Sequence, residues 1–222
     1  MEILGVIPIR GGSIRIPKKN IYPLLGKPLV SYTIQEARKS KMITRLVIYT
    51  GHQEMLEVAR KYKIEVPVIE PKETQNDILI FKHLLVELEK MENYKPDIVV
   101  HLRATAPIRS ASDIDKAIRL LIDNPKADSV RGVCDVEETP FKMYLLDKKD
   151  KFLTPFLTKK EFSFMKNFPD PNAVGQQNFP RVLKPSSQID VTRRNTILKL
   201  NSMIGKKVMP FFVDRKRDID ID

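Results

Sequence analysis

Two rhythms alternate along the chain. Short runs of branched apolar residues, Ile3–Ile9, Leu46–Thr50, Asp97–Leu102 and Asp128–Val133, are too short for buried helices and suit strands covered on both faces. Between them lie stretches of helical period. Pro28–Ser40 starts on proline and lines Leu29, Tyr32, Thr33 and Ala37 along one face, and Gln53–Lys63 sets Met55, Leu56, Val58 and Ala59 among charges. Asp77–Asn93 carries Ile78, Ile80, Phe81, Leu84, Leu85 and Leu88 inward behind Asp77 as an expected cap, and Ser110 or Ser112 should cap a helix over Ile114–Ile122. Glu65–Ile69 reads as extended. Strand and helix alternate without hairpin signals, which predicts an α/β fold with a parallel sheet and right-handed crossovers.

Residues 143–187 show neither period, yet they hold Pro155, Pro169, Pro171, Pro180 and Pro185 among Phe152, Phe156, Phe162, Phe164 and Phe168. Disordered segments are poor in aromatics, so these rings predict an excursion that docks on a second copy of the chain. Regular structure resumes with a strand over Gln188–Thr192, a helix over Arg193–Leu200 and a strand over Lys207–Val213. The expected division is a core of 1–142 and 188–222 with a dimerisation excursion at 143–187.

The first strand empties into Arg10, Gly11, Gly12 and Ser13, and Arg15, Lys18 and Lys19 follow at once. A Gly-Gly pair alone is an ordinary surface turn. Four cations beside it shift the reading to phosphate: glycines allow close backbone approach, free N–H groups point inward and the cations neutralise charge. Neither G-x-x-x-x-G-K-[ST] nor G-x-G-x-x-G occurs, so a P-loop or a dinucleotide turn is not indicated. Pro17 holds the loop extended. Arg103, Thr105 and Arg109 follow the strand at Asp97–Leu102 and should share the carboxyl-end rim with this loop.

The net charge of +11 over 222 residues invites a nucleic-acid reading, but the lysines are scattered and the aromatics are not interleaved with them as a stacking platform requires. An anionic small substrate fits better. No apolar run reaches the length of a membrane span and the N-terminus has no leader pattern, so a cytoplasmic location without membrane contact is expected. The single cysteine, Cys134, reads as a buried thiol. His52, His83 and His101 give no placed general base.

The chain ends in D-R-K-R-D-I-D-I-D, where alternation would put Asp218, Asp220 and Asp222 on one side of an extended segment. The bland alternative is a solvated acidic tail. Carboxylates facing a phosphate loop are what Mg²⁺ needs, since it binds one or two of them and fills its other positions with water and phosphate oxygens.

Taken in order, R-G-G-S-x-x-I-P-x-K-N, T-x-P-I-R-x-x-x-D-I-D, T-P-F-K-M, Q-x-x-P and the terminal D-I-D resemble the acylneuraminate cytidylyltransferases, which make CMP-sialic, CMP-legionaminic and, in a close branch, CMP-Kdo sugars. The resemblance spans nearly the whole chain. It implies a Rossmann-like nucleotidyltransferase core, a homodimer built through the excursion, and Mg²⁺-dependent transfer from CTP to a sugar acid with release of pyrophosphate. It assigns Arg10, Gly11, Gly12, Ser13, Lys19 and Asn20 to the nucleotide phosphates, with Arg10 and Lys19 on the leaving pyrophosphate. Asp218 and Asp220 would hold the metal; Lys142, Arg103, Lys184 and Gln177 would serve the acceptor.

Several positions depart from the family pattern: Ile14 and Gly51 replace a lysine and an aspartate, Arg103 a glutamine, Gly175 an arginine, Lys184 and Ser186 the R-x-N-G pair, and Glu70 an arginine that contacts the base. The sugar and base contacts thus differ while the phosphate and metal apparatus is kept. A carboxylate at position 70 could pair with N1–H and N2 of guanine, which keeps GTP and a sugar phosphate as an alternative, or could be a mere solvent-exposed strand end. A catalytically lapsed homologue that only binds a nucleotide sugar is the other alternative.

Overall fold

The computed structural model describes residues 1–9, 16–71, 76–147, 149, 151–157 and 171–221. They form two compact units, Met1–Val133 with Pro185–Asp222, and Cys134–Lys184. The division falls earlier than the expected one, so Cys134–Lys142 group with the excursion.

The first unit is built on strands β1 (Ile3–Pro8), β4 (Arg45–Tyr49), β5 (Ile98–His101), β6 (Ser129–Asp135), β9 (Leu183–Arg193) and β10 (Val208–Phe212), ordered β10-β6-β9-β5-β1-β4, while β2 (Pro23–Leu24) and β3 (Lys27–Pro28) form a small antiparallel ribbon. β1 is parallel to β4 and β5, with Val6 opposite Val47 and His101, and β10 is parallel to β6. β9 departs from the parallel expectation: it runs antiparallel to β5, with His101 opposite Asp190. Arg193 N at its end donates to Asp128 O just before β6. A strand entered directly from an irregular excursion has no crossover helix to reverse it, so it can pair either way.

Side chains of β1 point alternately to two cores. Ile3 and Ile7 pack with α1 (Leu29–Lys39), α2 (Gln53–Lys61) and α4 (Ala111–Asp123); Leu4 and Val6 pack with Phe81, Leu84, Leu85 and Leu88 of α3 (Asp77–Glu92) and Ile197 of α5 (Arg194–Leu198). Burial on both faces explains why β1 reads as an unbroken apolar run. Asn76, not Asp77, caps α3: its Oδ1 accepts from Leu79 N at 3.0 Å, and the helix closes at Asn93 with φ 52°. Ser110 caps α4, accepting from Asp113 N at 3.2 Å and donating to Asp113 Oδ2 at 2.7 Å. Glu65–Ile69 forms only isolated bridges, at Val47–Glu65 and Thr50–Ile69. Among the described residues no helix is long and apolar enough to cross a membrane.

In the second unit, β7 (Tyr144–Leu146) and β8 (Leu153–Pro155) make a hairpin inside the stretch expected to be irregular. Phe141 and Phe179 stack at 5.4 Å as its small core. Phe162, Phe164 and Phe168 lie outside the described residues.

Candidate active site

β1, β4 and β5 all end on one edge of the sheet, and because β9 runs the other way it enters from that edge and sets Asp190 opposite His101 at the end of β5. Arg109 ties this edge together. Its guanidinium is fully buried and donates to Gln188 O, to Thr33 Oγ1 at 3.1 Å, to Arg103 O at 3.0 Å and to Ser187 O at 3.3 Å. Burial pulls it down to about 9, the like charge of Arg103 adds to this, and Asp190 and Asp220 oppose it. It remains a cation at neutral pH. The expectation placed Arg109 on an open rim; it lies beneath that rim and fixes the backbone that presents its neighbours.

Arg103 does reach the rim. Its Nη1 donates to Asp190 Oδ2 at 2.9 Å and its Nη2 lies 3.9 Å from Asp77 Oδ2. Asp190 is buried and also faces Arg131 Nε at 3.6 Å. Neither Asp190 nor Arg131 stands out in a motif. Their signal is compositional: a single acid in the apolar strand Gln188–Thr192 requires a cationic partner.

The tail returns to the same edge. After β10, Asp214 caps a 3₁₀ turn at Arg215–Arg217, accepting from Lys216 N at 2.9 Å. Arg217 donates to Asp113 Oδ2 and to Ile108 O, and its own carbonyl accepts from Gln188 Nε2 at 2.6 Å. Beyond the turn, Ile221 N donates to Thr105 O at 3.0 Å and Ser187 Oγ to Asp220 Oδ2 at 2.5 Å. The expected extended tail is therefore interrupted by a turn through Asp218, while Asp220 is exposed at the rim. Asp222 lies outside the described residues. The half-buried Asp218 and the exposed Asp220 each offer carboxylate oxygens, donors of the kind Mg²⁺ takes. Among the described residues no group of three or more His, Cys, Asp or Glu could cage a metal unaided.

On the other side of the edge, Lys19 and the buried Asn20 belong to a 3₁₀ turn, Lys19–Ile21, entered through Lys18 at φ 57°. Lys18 is engaged with Glu54 at 2.5 Å. Arg10, Gly11, Gly12, Ser13, Ile14 and Arg15 lie outside the described residues. Glu70 is 8% exposed, so it is no solvated strand end; its N–H donates to Thr50 O at 3.1 Å. This contact accounts for Gly51, because a Cβ there would stand 2.4 Å from Glu70 O. Of the histidines, His83 Nδ1 shares a hydrogen bond of 2.9 Å with Tyr49, and buried His101 packs on Phe81 at 4.8 Å. His52 precedes α2 as an exposed residue. None is placed as a base.

Within the second unit a cleft of about 300 Å³ is lined by Thr139, Gln176, Gln177, Phe179, Arg181 and others. Asp135 and Arg181 form a two-point ion pair at 2.6 and 2.9 Å beside it. Lys142 Nζ lies 6.0 Å from the Phe179 ring, Gln177 is exposed, and Lys184 is an exposed residue near the start of β9.

Residues 4–151 match the family model for cytidylyltransferase. The chain belongs to that family. Over 127 residues it is 36% identical to the pseudaminic acid cytidylyltransferase of Campylobacter jejuni, an alignment covering 56% of this chain and 55% of that relative. It thus matches about half the length of that relative. The CMP-N,N'-diacetyllegionaminic acid synthase of Legionella pneumophila is 27% identical over 227 residues, covering 100% of this chain and 91% of the relative. The post-translational flagellin modification protein B of Campylobacter coli is likewise 27% identical, over 225 residues, with coverage of 100% and 90%. In fold, the family member resembles a CMP:2-keto-3-deoxy-manno-octonic acid synthetase solved with CTP, at a TM-score of 0.67 and 16% identity, over 96% of this chain and 90% of that one.

Proposed function

We propose that this cytidylyltransferase joins CTP to a sugar acid and releases pyrophosphate. The observation that carries the reading is the match of residues 4–151 to the cytidylyltransferase family, supported by Arg103 just past the end of β5 and by Asp220, which accepts from Ser187 Oγ at 2.5 Å. The acceptor hydroxyl oxygen attacks the α-phosphorus, the bond from that phosphorus to the bridging oxygen breaks, and pyrophosphate departs with the electron pair while the hydroxyl proton passes to solvent. Protein assistance of this chemistry is mainly positioning and charge neutralisation. Arg10, Ser13, Lys19 and Asn20 would hold the phosphates, and Arg103 the acceptor's carboxylate. Lys142, Lys184 and Gln177 would read the rest of the sugar. Asp218 and Asp220 would hold a Mg²⁺, which when bound would offset phosphate charge. Ser187 Oγ, which donates to Asp220 Oδ2 at 2.5 Å, would orient it for that role.

What favours an acidic nonulose over Kdo is that the pseudaminic relative is 36% identical over 127 residues and the legionaminic one aligns over 100% of this chain, against 30% over 128 residues, 58% of this chain, for a 3-deoxy-manno-octulosonate cytidylyltransferase of Bdellovibrio bacteriovorus. A homodimer through the second unit is part of the same proposal. The test is pyrophosphate release from CTP and Mg²⁺ with pseudaminic, N,N'-diacetyllegionaminic, N-acetylneuraminic and Kdo acids as acceptors. Turnover with at least one, lost by about a hundredfold or more in Asp220→Asn, is expected. Activity unchanged in that variant would remove the metal assignment, and inactivity with all four acids would favour the lapsed homologue.

A further inference from the structure

Asp190 sits on a strand with almost no exposure, between two guanidinium groups that it treats unequally. Its Oδ2 accepts from Arg103 Nη1 at 2.9 Å. Its Oδ1 lies 3.6 Å from Arg131 Nε, beyond hydrogen-bond range, and both of these buried atoms lack a hydrogen-bond partner among the described residues. A buried N–H and a buried carboxylate oxygen each lose free energy when left unsatisfied, and these two are each other's natural partner. A closing movement of well under about 1 Å would join them. Arg103 is the more accessible end of the arrangement: its side chain is 26% exposed against 5% for Asp190.

We propose that Arg103 is a releasable receptor for the acceptor's carboxylate, and that Asp190 is handed from Arg103 to Arg131 when Arg103 turns to the ligand. The inference rests on the reading of the acceptor as a sugar acid. Removing the only partner of a buried carboxylate is strongly unfavourable, so Arg103 could not leave Asp190 cheaply in a simple pair. A second guanidinium already in place makes the exchange close to balanced. The backbone need not move, because Arg109 holds the Arg103 carbonyl at 3.0 Å and the neighbouring Ser187 carbonyl at 3.3 Å. Arg103 touches the substrate; Asp190 and Arg131 are positioning residues.

Steady-state kinetics on the full chain test the exchange, with each of the four sugar acids and with CTP varied separately. Arg103→Gln should raise the acceptor KM by about tenfold or more, the scale of a lost charge-assisted hydrogen bond. Arg131→Met should raise it by about fivefold with the KM for CTP within about twofold, and Arg131→Lys, which keeps a cation, should recover part of the loss. In the Arg103→Gln background, Arg131→Met should have no further effect, because there is nothing left to release. Thermal melting of each variant reports folding independently. A rigid structural staple would instead lower the melting temperature while leaving the acceptor KM unchanged, or act additively in the double variant, and either result overturns the exchange while leaving the proposed reaction intact. A wild type that binds CTP by calorimetry but neither binds nor turns over any of the acids overturns the reaction and the exchange together.

Discussion

At position 51 there is no room for a side chain. The Glu70 carbonyl would meet any Cβ at 2.4 Å, so glycine here belongs to the approach of Glu70 to Thr50. Installing the aspartate of the resembled family pattern should therefore cost stability without gaining activity: Gly51→Asp is expected to lower the unfolding free energy by about 1–3 kcal/mol in urea titrations, with turnover no higher than wild type. Glu70 itself is buried at the same edge, and a carboxylate that faced cytosine would accept from its N4 amine. Replacing it with Gln should reduce kcat/KM for CTP by about tenfold; a selective loss of GTP use instead would make it a guanine reader, and equal small effects would show that it reads neither base. Sequence alone suggested Glu70 as a departure but could not tell buried from exposed. It missed Asp190 and Arg131 because no motif contains them, and it placed Arg109 on the rim because an arginine in the loop after a strand gives no sign of which backbone carbonyls will enclose it.

At the scale of elements, the strands and helices of the first half were legible from their periods, since β1 is apolar on both faces and α3 and α4 are apolar on one. The caps were less so: Asn76 and Asp77 adjoin, and only the backbone shows which begins the helix. The antiparallel β9 was not legible, because alternation fixes a strand's faces and not its direction. Nor was the turn that carries the tail back. That turn depends on Arg217, which reaches the first turn of α4 at Asp113. Burial pushes the Asp113 carboxyl up, but the hydrogen bonds from Arg217 and Ser110 and the charges of Arg217 and Lys116 outweigh it and leave the group below its ordinary 3.8. A depressed carboxyl contributes stability above its unfolded value and loses it as the pH falls through the folded one. Asp113→Asn should accordingly be less stable than wild type at neutral pH, by no more than about 1 kcal/mol for a pair this exposed, and the two should converge as the pH drops below 3.8. Because the same turn leads to Asp218 and Asp220, the variant should also need more Mg²⁺ for half-maximal turnover.

For the whole molecule, the second unit presents an apolar surface that a soluble monomer has little use for. Leu145 is 54% exposed, Leu146 62%, Phe152 73% and Leu153 63%, all on or beside the β7–β8 hairpin. Of these four, the aromatic pattern of residues 143–187 had marked Phe152, while the hairpin escaped notice because its strands are only three residues each. Light scattering should give a dimer for the wild type, and Leu146→Asp with Phe152→Asp should give a folded monomer with little activity. A wild-type monomer at assay concentration would contradict the interface. The central claim, transfer of a cytidylyl group to a sugar acid, is tested most directly by the mass of the product. With CTP, Mg²⁺ and the four acids, mass spectrometry should find one acid joined to CMP, in amounts equal to the pyrophosphate released. Pyrophosphate accompanied only by free CMP, or a CMP adduct with none of the acids, would contradict it.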